Sequence, residues 1–109
     1  DVDITVLRAS GMLYQEQPDG YISNLYNAEI INKTSQDLAF DLRPSDKRMK
    51  IKWIQNASII KKEKSETVTF FLMLPADMII KSTTNIDLEV LQNSKVLYTV
   101  KTNFLGPVN

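Results

Sequence analysis

Neither cysteine nor histidine occurs among the 109 residues. These two absences remove much chemistry. Zinc sites draw on thiolate or imidazole ligands, iron–sulfur clusters on thiolates, and Ser-His-Asp or Cys-His nucleophiles on an imidazole base. No motif of another enzyme class takes their place, so the sequence reads as a domain with no catalytic residue, no bound metal and no cofactor of its own. The missing cysteines leave the compartment open, because disulfide-free domains occur on both sides of a membrane. Glycine is scarce, at three residues. Closed barrels often use glycine at their corners, so a sandwich is favoured over a barrel. No apolar run approaches the roughly 18 residues of a membrane-spanning helix.

Charge of one sign is not in excess either. Thirteen basic residues balance thirteen acidic ones. A nucleic-acid binder is normally basic, so no nucleic-acid partner is expected. What is plentiful is apolar side chain, 43% of the chain, enough for one domain spanning 1–109 with a buried core. The chain enters an alternating stretch directly after Asp1, which reads as an excised piece of a longer protein.

The hydrophobic period is two almost throughout. Val2, Ile4 and Val6 alternate with acids and Thr5, and Tyr26, Ala28 and Ile30 with Asn27 and Glu29. Leu38, Phe40 and Leu42 follow the same rule, as do Val68, Phe70, Leu72 and Leu74, then Ile86, Leu88 and Val90, then Val96, Tyr98 and Val100. Successive strand side chains point to opposite faces, so each segment buries one face. Residues 50–60 add one or two shorter strands through Ile51, Trp53, Ile59 and Ile60. The expectation is an all-β, immunoglobulin-like sandwich of about seven to eight antiparallel strands. Pro18-Asp19-Gly20 and Asn32-Lys33-Thr34-Ser35 read as turns, and Gln92-Asn93-Ser94-Lys95 as a hairpin. Pro75 to Ile80 is either one helical turn or an extended crossover.

One set of residues carries a likeness. It runs Val6-Leu7-Arg8, then Leu13-Tyr14, then Pro18-Asp19-Gly20-Tyr21-Ile22-Ser23-Asn24-Leu25-Tyr26, then Ile30-Ile31-Asn32-Lys33-Thr34, and closes with Phe104-Leu105-Gly106-Pro107. This pattern resembles the C-terminal immunoglobulin-like domain of the FixG-type cytochrome c oxidase accessory proteins. The resemblance implies a larger, membrane-anchored protein whose iron–sulfur clusters sit on cysteines outside this chain. It also implies work in assembly of cbb-type oxidases through copper handling, an accessory role, and a place on the periplasmic side of a bacterial inner membrane. For the matching residues Arg8, Tyr14, Asp19, Gly20, Asn24, Tyr26, Asn32, Gly106 and Pro107 a fold-holding role is expected. The short amides would bond backbone at strand ends, and Tyr26 would bury its ring with its hydroxyl on a partner.

Several features invite sharper readings. Between Arg43 and Lys64 stand eight basic residues against Asp46 and Glu63, a net +6, while five basic against eleven acidic residues elsewhere give −6. Arg43, Lys47, Arg48, Lys50, Lys52, Lys61, Lys62 and Lys64 thus form a candidate segment for an acidic protein partner or a membrane surface. The blander reading is a solvated face whose edge lysines block strand pairing. Trp53 within it reads as core more than as an interfacial anchor. Met12, Met49, Met73 and Met78 could offer soft ligands to Cu(I), yet none are close in sequence, so gap-filling is expected. The paired acids Asp1/Asp3, Asp37/Asp41 and Asp87/Glu89 lack calcium-loop spacing and read as solvated sheet faces. Asn32-Lys33-Thr34 and Asn56-Ala57-Ser58 match the glycosylation acceptor by chance if the source is bacterial. The rival reading is a cell-surface adhesion or carbohydrate-binding module, which needs exposed aromatics on one face. Tyr14, Tyr21 and Trp53 are the candidates.

Overall fold

The computed structural model describes residues 1–108, and its two sheets face each other across one core. Nine strands follow in order: β1 (Val2–Arg8), β2 (Gln15–Gln17), β3 (Tyr21–Asn32), β4 (Leu38–Pro44), β5 (Lys50–Gln55), β6 (Ile59–Ile60), β7 (Ser65–Pro75), β8 (Thr83–Gln92) and β9 (Lys95–Leu105). One sheet has the order β1-β3-β7-β5, with β2 also paired to β3. The other has the order β6-β4-β8-β9. All pairings are antiparallel. This is the expected immunoglobulin-like sandwich. The strand beyond the expected count is β2, whose Gln-Glu-Gln carries no apolar signal.

β1 and β2 lie along the same edge of β3. Arg8 stands across from Tyr26, and Gln15 across from Ser23. They therefore form one edge strand, interrupted where residues 9–14 leave the ladder. The interruption starts after the Ala9 N–H donates to the Leu25 carbonyl at 2.8 Å. Pro18-Asp19-Gly20 then turns the chain into β3. Asp19 and Gly20 take φ of 65° and 76°, the left-handed region that Gly and Asp tolerate best. The β8–β9 hairpin closes on Asn93 and Ser94, both at positive φ (51° and 67°), which matches the right-handed strand twist. Pro75 to Ile80 resolves into a single 3-10 turn at Ala76–Met78.

Inward residues of the alternation fill the core. Ile22, Tyr26, Ala28 and Ile30 come from β3, Val68, Phe70, Leu72 and Leu74 from β7, and Ile86, Leu88 and Val90 from β8. Each large side chain contributes roughly 1.5–3 kcal/mol by leaving water. Tyr26, Phe70 and Trp53 stand side by side across three strands. Tyr26 stacks on Phe70 at 5.6 Å between centroids, and Trp53 meets Phe70 edge-on at 5.2 Å. Trp53 is thus partly buried and packs against the core. β9 departs from the simple alternation. A bulge at Leu97 pairs Val96 with Leu91 on the outer face, while Tyr98 pairs with Val90 on the inner one.

Candidate interaction surface

Four of the residues singled out in the sequence, Arg8, Asn24, Tyr26 and Gly106, meet at one seam. Asn24 is buried in the middle of β3. Its Nδ2 donates to the Leu105 carbonyl and its Oδ1 accepts from the Leu105 N–H, both at 2.8 Å. The Tyr26 hydroxyl donates to the Asn103 carbonyl at 2.8 Å, and Arg8 Nε donates to Asn103 Oδ1 at 2.8 Å. Burial pushes the Tyr26 phenol well above its ordinary value, with the Arg8 charge pulling weakly the other way. Gly106 completes the seam. A Cβ there would stand 2.8 Å from Ile79 Cδ1, and Ile79 is fully buried. Three residues of the first third thus hold the last strand across the gap between the sheets.

Asn32 performs a similar task at the other end of β3. Its Nδ2 donates to the carbonyls of Gln36 and Ile60, both at 2.9 Å, and its Oδ1 accepts from the Thr34 N–H and hydroxyl. A buried amide with both donors engaged is no glycan acceptor. Asn24 bonds backbone at a strand end, as expected from the sequence. The structure puts it mid-strand, and the end that it bonds belongs to β9. Tyr14 is 38% exposed in the segment before β2, and Pro107 follows the seam. Among the described residues no buried side-chain polar atom lacks a partner.

The eight basic residues do not make one face. Arg43 points outward from the four-stranded sheet and pairs with Glu89 at 2.6 Å. Arg48 pairs with Asp46 at 3.0 Å, and Lys61 with Asp37 at 3.3 Å. Lys50 and Lys52 lie on β5, at the edge of the other sheet, and Lys47 in the turn before it. Lys62 and Lys64 lie between β6 and β7, where Lys64 accepts a bond from Asn32 at the far end of β3. Lys64 and Lys50 are nine rungs apart along β7, roughly 30 Å at about 3.3 Å per residue. Three of the eight have a carboxylate partner. Lys47, Lys50, Lys52, Lys62 and Lys64 have none among the described residues.

The two outer faces differ in kind. On the four-stranded sheet the middle of the outward face is polar and ion-paired, with Arg43–Glu89 joined by Lys101–Asp87 at 3.1 Å, and Ile59, Leu91 and Val96 lie outward toward the β6 edge and the hairpin. On the five-stranded sheet, outward Tyr21, Leu25, Phe71 and Met73 sit at the centre. All four are half-buried. Lys52 stands across from Phe71, and Lys50 across from Met73. The Lys50 ammonium lies 4.7 Å from the Tyr21 ring centroid, a cation–π contact. Tyr14, Tyr21 and Trp53 do not share an exposed face, since Trp53 is turned into the core.

The surface concavities are open grooves. Met49 and Met78 line one of about 190 Å³ with Asp46 and Asp87, while Met12 lies in another beside β9 and Met73 on the outer face described above. No three His, Cys, Asp or Glu residues cluster as a metal site among the described residues.

The comparisons agree with this architecture. The family model described as "IG-like fold at C-terminal of FixG, putative oxidoreductase" matches residues 1–107. The chain belongs to the FixG C-terminal immunoglobulin-like family. A solved FixG-related protein from Vibrio parahaemolyticus shares the fold with a TM-score of 0.73 at 18% identity, covering 98% of this chain and 97% of that one. No curated protein matches the chain. Within this fold Asn24 and Tyr26 tie β9 to β3, and Arg8 ties β9 to β1.

Proposed function

We propose that this chain is a non-catalytic docking domain of a FixG-type, membrane-anchored iron–sulfur protein. In that role it serves cbb-type cytochrome oxidase assembly and copper handling from the periplasmic side of a bacterial inner membrane. The clusters of such a protein would be carried by cysteines elsewhere, and this domain would make protein contacts. The observation that carries the reading is the use made of the polar side chains inside the fold. Asn24, Tyr26 and Asn32 are all engaged in holding strands together. What is left without a partner lies outside, as lysines and apolar sheet surface, and such groups make contacts rather than chemistry.

The test is deletion of residues 1–107 from the full-length protein. The expected result is loss of oxidase assembly while the iron–sulfur signals of the remainder persist in electron paramagnetic resonance. Normal assembly without the domain would overturn the reading. Loss of cluster reduction would replace docking with a redox role. The adhesion reading has no matching observation, because the three aromatic candidates are not grouped.

A further inference from the structure

We propose that the outer face of the five-stranded sheet is the docking surface, and that its occupant is an acidic protein segment carrying apolar side chains. The proposal deepens the docking reading and rests on it. The surface comprises Tyr21, Leu25, Phe71 and Met73, bordered by Lys50 and Lys52.

Three observations select this face. First, antiparallel sheets that face water usually show polar residues there. The four-stranded sheet does so at its middle, where its charges are paired, and its outward apolar residues Ile59, Leu91 and Val96 are confined to the β6 edge and the hairpin end. The five-stranded sheet instead presents aromatic and aliphatic residues in its two central strands. Second, Lys50 and Lys52 are two positions apart on β5 and point the same way, about 7 Å from each other. Neither has a carboxylate partner among the described residues, although five other cations do. An apolar centre with an unpaired cationic border matches a partner that brings apolar groups and carboxylates together. Third, the apolar side chains are half-buried within the sheet and do not protrude. A flat protein surface or an extended segment can reach them. Membrane anchors instead project aromatic rings from loops or helix faces into the headgroups.

A second copy of this chain is a poor occupant. Two faces stacked about a two-fold axis along the strands would put Lys50 over the Gln15 row and Lys52 over Ala9, the residues across β3 from Ser23 and Leu25. An axis across the strands would put β5 over β5, and Lys50–Gln55 contains no acid. Neither arrangement supplies a carboxylate.

The test pans a display library of random twelve-residue peptides against the chain. Enriched sequences are expected to combine Asp or Glu with alternating apolar residues. The best peptide should shift the amide signals of Leu25, Phe71 and Met73 and bind the doubly reversed Lys50→Glu/Lys52→Glu variant at least tenfold more weakly. Lys95→Glu, on the β8–β9 hairpin, should leave binding within twofold. Enriched peptides that map to another surface, or that are basic, overturn this inference while the docking reading survives. No enrichment at all counts against both. Co-sedimentation with phosphatidylglycerol vesicles that the double reversal abolishes would overturn the protein-segment proposal in favour of a membrane.

Discussion

Asn24 and Leu105 lie 81 positions apart and exchange two hydrogen bonds of 2.8 Å, so a single side chain does for β9 what a ladder rung does within a sheet. β3 and β9 belong to different sheets, and no backbone pairing joins them. The amide bridges that gap because its donor and acceptor have the geometry of a peptide group.

Asn24→Ala should therefore cost more than one hydrogen bond. It removes both bonds and leaves the Leu105 N–H and C=O without partners, a loss of about 2–4 kcal/mol. Urea denaturation followed by Trp53 fluorescence measures it. Asn24→Asp keeps an acceptor for the N–H but sets a carboxylate against the carbonyl. Its deficit relative to the parent should match the alanine variant at pH 7. The gap should narrow as pH falls toward about 4, where the protonated acid can donate.

Gly106→Ala tests the seam by crowding. The new Cβ meets Ile79 Cδ1 at 2.8 Å, and Ile79 is enclosed on all sides. Overpacking of this kind costs about 1–3 kcal/mol. Ile79→Val removes the offending methyl. The double variant should be more stable than the two single losses predict, a coupling readable in a double-mutant cycle.

Stability should fall at both ends of the pH scale. The Lys62 backbone N–H and the Lys61 side chain hold Asp37 below the usual carboxylate value, and the Arg48 side chain and N–H do the same for Asp46. A depressed carboxyl contributes stability above its unfolded value, near 4, and loses it as pH drops through the folded value. Asp37→Asn and Asp46→Asn should each flatten the acid limb. Tyr26 is raised by burial, so its contribution is complete below about 10 and is lost as pH rises beyond that. Tyr26→Phe should flatten the alkaline limb, with urea midpoints between pH 2 and 11 as the measurement.

Hydrogen exchange should divide β9 in two. The Leu105 N–H, held by Asn24, and that of Phe104, fully buried, should exchange only with global opening. The Leu97 N–H, at the bulge and 43% exposed, should exchange orders of magnitude faster.

Much of this architecture is legible in the alternation of Phe40 and Leu42, of Phe70 and Leu72, and of Leu88 and Val90, because burial of one face dictates the period. β2 is not, since its three residues are polar and carry no apolar alternation to mark a strand. The outward turn of Val96 is hidden by the bulge at Leu97, which shifts it off the face it shares by alternation with Tyr98 and Val100. The basic run between Arg43 and Lys64 is visible as a run, but strands that belong to two sheets divide it. Asn24 reads as a turn-type residue. Its clamp depends on a strand more than eighty residues away, and only the assembled fold brings the two together.

The placement of the chain ends has a mechanical consequence. The Tyr98 hydroxyl donates to the Val2 carbonyl at 3.2 Å, and Arg8 reaches Asn103, so β1 and β9 run in the same direction past each other. Val2 and Leu105 accordingly lie toward opposite poles of a body 47 Å long. Tension applied between them would slide β1 and β9 past each other in shear. The bonds of Tyr98, Arg8, Tyr26 and Asn24 would then bear load together, and the domain would resist stretching as a stiff spacer that yields all at once.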